Sequence, residues 1–451
     1  MRIVAAAIKR SAGAEATGGN CGVMELPFEL SDIGLRGQSA IGLVAFIFIA
    51  WLFSSNKGRF PFFAAVWAVA AQILVAAFLL FTPPARAALA SLQVAVRALQ
   101  EATAAGTTFV FGFLGGGDAP FEVVNEGAMF SFAFGALPLV IFFSGLSAVL
   151  WHWGVLKLFV RGFAFLLERV FRVGGAVALS SAANTFLGQT EAPLLIRPYL
   201  DKITRPELLI VITGGFATVA GSVMAVFATI LSNVDPSILG HIIVASIISV
   251  PAAILMAQVM MPEEKGVTPT PVEAADDFGY GGSMDAFMRG VTDGLGLYLN
   301  ILASLIAFIA AVALINIMLG AIPDIAGAPV TLERILGYVF APFMWLAGVP
   351  WSEAIAAGEY MGLKTAVNEF VAYLRLAQVE PGTFSERSML IVVYSLCGFA
   401  NFSSLGIVIG GLTALAPSRR QDVIDLAPRA LIAGTLATLM TGAVIGLIWM
   451  G

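Results

Sequence analysis

The sequence predicts an all-α integral membrane protein: eight transmembrane helices, two re-entrant helical hairpins and interfacial helices, arranged as an inverted repeat of hairpin, span and span. Three observations lead there. First, 59% of the 451 residues are hydrophobic and only 12% are charged, with a mean hydropathy of +0.92, whereas soluble domains carry about one quarter charged residues. Second, two long apolar segments, residues 174–204 and 345–378, are interrupted at their middles by polar and charged side chains. Third, each of these segments is followed by a related tetrad, Gly215-Phe216-Ala217-Thr218 and then Gly398-Phe399-Ala400-Asn401. Asn184 and Thr218 in the first unit, and Asn368 and Asn401 in the second, stand at nearly equal separations.

Taken in order, residues 1–37 read as a disordered tail, with Met24 as an alternative start. The apolar stretch 3–8 is shorter than the roughly 7–15 residues of a signal-peptide core. Residues 38–173 hold spans at 38–54, 61–82 and 127–151, followed by a segment over 156–171. In that segment Lys157, Arg161 and Arg169 alternate with Phe159, Phe163 and Phe165, as in an amphipathic helix lying at a membrane surface. Residues 174–262 contain the first hairpin and spans at 206–231 and 238–261. Residues 263–292, rich in Pro, Thr, Gly and acidic residues, read as a linker. Residues 293–344 carry a span at 294–320 and an interfacial helix. Residues 345–451 contain the second hairpin and spans at 388–416 and 427–450. The span lengths approach or reach the roughly 20 residues needed to cross about 30 Å of hydrocarbon.

Charge orients the chain. Placing Lys57 and Arg59 on the cytoplasmic side also places Lys157, Arg161, Arg169, Arg172, Arg197, Lys202, Arg205, Lys265, Arg289, Arg419, Arg420 and Arg429 there. The opposite face keeps Arg36, Arg86, Arg97, Arg334, Arg375 and Arg387. Both termini then lie outside, and the two hairpins enter from opposite sides, which is an inverted-topology repeat. A net charge of −5 without a dense Lys/Arg cluster argues against nucleic-acid binding. Cys21 and Cys397 suggest neither a disulfide framework nor a Cys metal site. His152 and His241 read as interfacial or satisfied helix residues.

The buried polar residues define the chemistry. Glu191 and Glu369 lie deep in their hairpins, where an ionisable group is costly and marks a functional site unless it is bonded to its own hairpin's amides. Ionised, both only accept hydrogen bonds. Gln189 and Asn401 donate and accept, and Thr190, Ser403 and Ser404 add hydroxyls. This set suits a neutral solute with many donors, such as a sugar or nucleoside. A carboxylate substrate would call for an intramembrane Arg. Lys364 suits pairing with a carboxylate or a helix C-terminus. Asn184, the Thr218 hydroxyl and carbonyls around Leu187 and Val219 offer oxygen ligands for sodium, with ordinary interhelical hydrogen bonds as the alternative. A membrane-embedded enzyme using the two glutamates as acid and base lacks any nucleophile or cofactor motif to complete it.

Three segments carry a specific resemblance: Gly188-Gln189-Thr190-Glu191-Ala192-Pro193; Gly362-x-Lys364-x-x-x-Asn368-Glu369-Phe370-Val371-Ala372-Tyr373; and Cys397-Gly398-Phe399-Ala400-Asn401-Phe402-Ser403-Ser404. In content and order they resemble the hallmark motifs of the concentrative nucleoside transporter family, over nearly everything from residue 38 onward. The resemblance implies a bacterial inner-membrane sodium symporter, a homotrimer in which a scaffold of spans 1, 2, 3 and 6 holds a transport domain that moves as an elevator. Carried over by motif, Gln189, Thr190 and Glu191 face the nucleobase; Glu369, Asn401 and Ser404 face the ribose; Phe399 and Val223 flank the nucleoside. Asn184, Leu187, Thr218 and Val219 align with the sodium site, Thr218 standing where a serine also occurs. Proton coupling on the same fold is the alternative.

Overall fold

Glycine and polar breaks divide the apolar spans into a helical framework whose described part comprises residues 30–125, 129, 131–232, 234–235, 237–264, 266–269, 278–325 and 327–449 of the computed structural model. Among these residues the only β feature is an isolated bridge between Ile325 and Ala328. The chain divides into a short unit, residues 1–34, and a main unit, residues 35–451, which holds the spans and both interrupted segments. Cys21, Met24 and most of the expected tail lie outside the described residues.

Helices α1 (Leu30–Leu52) and α2 (Phe62–Phe81) are the first two spans. Helix α1 begins inside the segment expected to be tail, because residues 34–37 already continue its regular turns. Helix α3 (Pro83–Phe111) is absent from the elements the sequence predicts. It opens on prolines at its first turn and closes at Gly112, φ 59°, the start and stop chemistry expected of a helix. Its Arg86, Arg97 and Glu101 keep it below the hydropathy of a span. A π-turn (Phe132–Ala136) leads into α4 (Leu139–His152), together the third span. The amphipathic segment is α5 (Val155–Phe171), which buries Val160, Ala164, Leu167 and Phe171 along one stripe.

The first interrupted segment is α6 (Gly175–Ala183), a turn, and the short helices α7 (Glu191–Leu194) and α8 (Arg197–Leu200). A reciprocal cap then starts the next span: the Glu207 amide donates to Thr204 Oγ1 (3.2 Å) and the Thr204 amide to the Glu207 carboxylate (2.9 Å). That span breaks between α9 (Arg205–Ala217) and α10 (Gly221–Leu231), and α11 (Ile238–Met260) comes next. Helix α12 (Ser283–Leu319) begins inside the expected linker. An Asp285–Arg289 pair at 3.0 Å supports its added turns. Helix α13 (Leu332–Ala347) meets α14 (Trp351–Ala366) at a bend of 118°, so the expected segment 345–378 begins at the end of α13. Helix α15 (Glu369–Leu376) completes the second interrupted segment. The span expected over 388–416 is two short helices, α16 (Glu386–Leu396) and α17 (Phe402–Leu415), because Cys397 to Asn401 are non-helical. Helix α18 (Arg420–Ile448) ends the fold. Seven described helical segments are long and apolar enough to cross a membrane, or eight if α13 and α14 form one bent span.

Helix α12 packs on α4 through small residues. A Cβ on Gly290 would lie 2.8 Å from Ala148 Cβ, and one on Gly294 2.8 Å from Ile141 Cα, so this small-xxx-small pair lets the backbones approach as membrane helices do. Helices α1 and α2 bond elsewhere. The Arg387 guanidinium on α16 donates to Ser39 Oγ (2.9 Å), the Leu35 carbonyl (3.1 Å) and the Gly446 carbonyl (2.6 Å), joining α1, α16 and α18. Gln72 on α2 donates to Met440 Sδ of α18 (3.7 Å).

Candidate functional site

The two interrupted segments bring their turns to one cavity of about 420 Å³, within the roughly 300–1,000 Å³ typical of small-molecule sites. The turn after α6 contributes Gln189, Thr190 and Glu191; α10 contributes Val223; the start of α15 contributes Glu369; the break between α16 and α17 contributes Phe399 and Asn401; the first turn of α17 contributes Ser404. All eight residues named from the sequence for the substrate thus line this cavity.

Helix starts set the side of the cavity built by the second interrupted segment and the α16–α17 break. Asn368 caps α15, its Oδ1 accepting the Val371 amide at 3.1 Å, which holds Glu369 in the first helical turn, where an N-terminal dipole favours a carboxylate. Asn401 caps α17 in the same way, accepting the Ser404 amide at 2.7 Å. The Asn401 Nδ2 then donates to Glu369 Oε2 at 2.7 Å. One cap therefore orients its helix and fixes the carboxylate, leaving Glu369 Oε1 without a side-chain donor among the described residues. In the first interrupted segment the Gly188 amide donates to Glu191 Oε2 at 3.1 Å, so this glutamate partly satisfies its own turn. Gln189 Oε1 is buried without a partner, an acceptor that a donor-bearing solute would satisfy.

Lys364 is buried, donating to the Ser395 carbonyl (2.9 Å) and Thr438 Oγ1 (3.1 Å). Ser395 lies in the last turn of α16, so the ammonium neutralises a helix C-terminus beside the cavity. His241 Nδ1 lies 3.1 Å from the Tyr394 hydroxyl, a satisfied helix histidine. Cys397 is buried, its thiol 3.6 Å from the Ile242 carbonyl.

The residues expected around sodium gather where the first turn meets the α9–α10 break. Thr218 Oγ1 donates to the Gly214 carbonyl (2.8 Å) and lies 3.3 Å from the Asn184 carbonyl. The Phe186 carbonyl accepts the Gly221 amide at 3.1 Å. Asn184, Leu187, Thr218 and Val219 are all buried. Both side-chain polar atoms of Asn184 lack a partner, as do the hydroxyls of Ser181 and Thr185 nearby. The oxygens of this set, carbonyl, amide and hydroxyl, are of the type a hard cation takes, while the Asn184 Nδ2 can only donate and calls for an acceptor instead.

The opposite wall lies outside the residues singled out from the sequence. Helix α12 lines it with Thr292, Asp293, Gly296, Asn300 and Ser304. Thr292, Gly296, Asn300 and Ser304 recur every four residues, a small and polar stripe in an otherwise apolar span that could have been read from the sequence. Asp293 also borders a smaller adjoining cavity of about 90 Å³ with Glu191 and Leu187.

Comparisons with known proteins converge on this architecture. Residues 241–446 match the family described as Na+ dependent nucleoside transporter C-terminus, residues 41–114 its N-terminus, and residues 133–234 a nucleoside recognition family. An uncharacterized transporter of Haemophilus influenzae is 39% identical over 91% of this chain and 97% of its own. The nucleoside permease NupC of Helicobacter pylori is 34% identical over 91% of this chain and 97% of its own. Among solved structures, CNTnw in an inward-facing substrate-bound state superposes with a TM-score of 0.81 at 34% identity, covering 91% of this chain and 98% of that one. A CNTnw double variant in an outward-facing state also gives 0.81, covering 92% and 97%.

Proposed function

Because the chain belongs to the concentrative, Na+-dependent nucleoside transporter family, we propose that it imports nucleosides across the bacterial inner membrane, driven by sodium, as a homotrimer working by an elevator movement. The family is one of transporters, not of enzymes. The observation that carries the reading is the single cavity in which both hairpin turns, with Glu191 and Glu369, face the small and polar stripe of α12. A neutral nucleoside offers hydroxyl and N–H donors to that acceptor-rich wall. Gln189, Thr190 and Glu191 would hold the base, Glu369, Asn401 and Ser404 the ribose, with Val223 and Phe399 at its flanks.

The sodium ion would sit among Asn184, Leu187, Thr218 and Val219, beside the base end, so that cation and nucleoside together order the first turn. The two interrupted segments act as re-entrant hairpins of an inverted repeat and move together along the α4–α12 wall. Helices α1 and α2, grouped with the scaffold by the family resemblance, are bonded here to α16 and α18, which favours their travelling with the repeats.

Radiolabelled uridine uptake into proteoliposomes tests the coupling. An inward sodium gradient should raise the initial rate at least tenfold over potassium at equal pH, and an imposed proton gradient should not replace it. Uptake driven by protons and indifferent to sodium would move the assignment to the proton-coupled alternative. The inverted arrangement has its own test. With Cys21 and Cys397 replaced, single cysteines at positions 57 and 419 should be shielded from an impermeant thiol reagent added outside intact cells, and one at 324 should be labelled. The reverse pattern would overturn the orientation.

A further inference from the structure

Away from the substrate cavity, a cleft of about 710 Å³ opens between the loop joining α1 to α2, the end of α5 and the end of α11. All three boundaries are helix ends, so the cleft lies at one membrane–water interface, the one where the Lys/Arg distribution puts the cytoplasm. Three arginines border it: Arg59, Arg169 and Arg172. Among the described residues the Arg59 guanidinium reaches only a backbone carbonyl, that of Glu264 at 3.5 Å. Arg169 and Arg172 are exposed and have no side-chain partner among the described residues. The carboxylate at the rim, Glu263, is already engaged by Thr204 Oγ1 (2.5 Å) and the Glu264 amide (3.1 Å).

Three further features separate this cluster from an ordinary solvated face. Arg172, with φ 53°, is the only described residue other than glycine with a positive φ. It occupies the helix-terminating position where glycine is the usual and unstrained choice, and an outlier of this kind points to a side chain retained for its chemistry. Below the guanidinium groups the wall turns aromatic, with Phe62 66%, Phe63 76% and Trp67 54% exposed along the first turns of α2. Gln258 on α11 donates to the Phe171 carbonyl at 3.3 Å, while its Oε1 is buried without a partner.

We propose that this cleft binds an anionic phospholipid whose headgroup carries hydroxyl donors, phosphatidylglycerol being the simplest example. Arg59, Arg169 and Arg172 hold the phosphate, whose planar recognition by guanidinium groups is stronger than point-charge attraction. The unpaired Gln258 Oε1 accepts from the glycerol hydroxyl, and an acyl chain lies along Phe63 and Trp67 into the hydrocarbon. Basic recesses between helix ends on the cytoplasmic side are the general setting for such recognition. Arg172 leads within a few residues into α6, so an occupied cleft fixes the joint from which the first interrupted segment hangs.

The test uses the purified full chain, with thermal unfolding followed as lipid is added. Phosphatidylglycerol should raise the midpoint by several degrees more than phosphatidylcholine at equal mole fraction. Inorganic phosphate and glycerol phosphate at the same concentration should leave it unmoved, which separates a lipid site from a free-phosphate site. Arg172→Gly relaxes the strained backbone, so it should fold at least as stably as the parent in phosphatidylcholine while losing more than half of the phosphatidylglycerol shift. Arg169→Gln should lose a similar share, and Arg161→Gln, an equal charge loss on the same helix outside the cleft, should keep it. An undiminished shift in both Arg169→Gln and Arg172→Gly, or an equal loss in Arg161→Gln, would reject the site in favour of general attraction to an anionic surface. A shift reproduced by glycerol phosphate would reject the lipid as occupant.

Discussion

Replacing Glu369 by glutamine is expected to reduce uridine transport to near background, with at least a tenfold loss of affinity in the purified protein. Glu369 Oε2 is occupied by the Asn401 amide at 2.7 Å, and Oε1 has no side-chain donor among the described residues. Ribose hydroxyls donating to a buried carboxylate form charge-assisted bonds worth about 1.5–3 kcal/mol each, and about 1.4 kcal/mol is already a factor of ten. Glutamine keeps the size but replaces one acceptor oxygen by an NH₂ group. If that group faces Asn401, two donors oppose each other and the cap of α17 is disturbed. If it faces the cavity, a ribose hydroxyl meets a donor. Either rotamer loses an interaction that the carboxylate makes on both sides.

The same chemistry orders the ligands. Uracil lacks the sugar and should compete at least tenfold more weakly than uridine, and a nucleoside stripped of its ribose hydroxyls should also be handled poorly. Isothermal titration of parent and variant checks the first expectation, and competition for uridine uptake checks the second. Equal uridine affinity in Glu369→Gln, in a protein whose thermal midpoint is unchanged, would reduce Glu369 to a structural partner of Asn401. Effective competition by uracil would remove the ribose contact.

Much of this site is legible in the sequence because its chemistry is local. A carboxylate one residue after an Asn cap, and a Gly-Phe-Ala-Asn break that restarts a helix, are short-range patterns, and the polar interruption of an apolar segment announces itself without any partner. What escapes the sequence is what depends on the opposite side of a contact. The polar stripe of α12 can be read from its four-residue spacing, but which element it faces depends on the Gly290 and Gly294 packing on α4, and nothing in residues 292–304 alone says that Asp293 borders a cavity with Glu191 rather than lipid. Lys364 is readable as a helix-end partner, but that Ser395 and Thr438 are its acceptors depends on tertiary packing. Helix α3 escapes for another reason. Its alanine-rich sequence is a strong helix former, yet hydropathy is a measure of membrane crossing, and Arg86, Arg97 and Glu101 hide a helix that need not cross.

Asn184→Ala is the change that should separate coupling from folding. A buried amide with no partner costs stability, roughly 1–3 kcal/mol for the unsatisfied groups, and Asn184 has both its Oδ1 and its Nδ2 in that condition. The amide sits close against the backbone of α9, where a Cβ on Gly214 would come within 3.3 Å of Nδ2, so it has little room to turn elsewhere for a bond. Without sodium, alanine therefore removes an unfavourable group and should leave the thermal midpoint in potassium unchanged or higher. With sodium, the parent should gain stability as RT ln(1 + [Na+]/Kd), and the variant should lose most of that gain while its apparent sodium affinity in uptake falls at least tenfold. Thr218→Ser keeps the hydroxyl that meets the Asn184 and Gly214 carbonyls and should be mild. Thr218→Val keeps the shape but removes the hydroxyl that donates to the Gly214 carbonyl, so it should lose the sodium gain as Asn184→Ala does and also lower the midpoint in potassium. The signature of Asn184→Ala is the opposite response in the two salts, which simple damage to the fold cannot produce, since a misfolded turn would lower the midpoint in potassium as well. A sodium shift in Asn184→Ala equal to that of the parent would place the cation elsewhere, and the orphaned amide would then need a different partner.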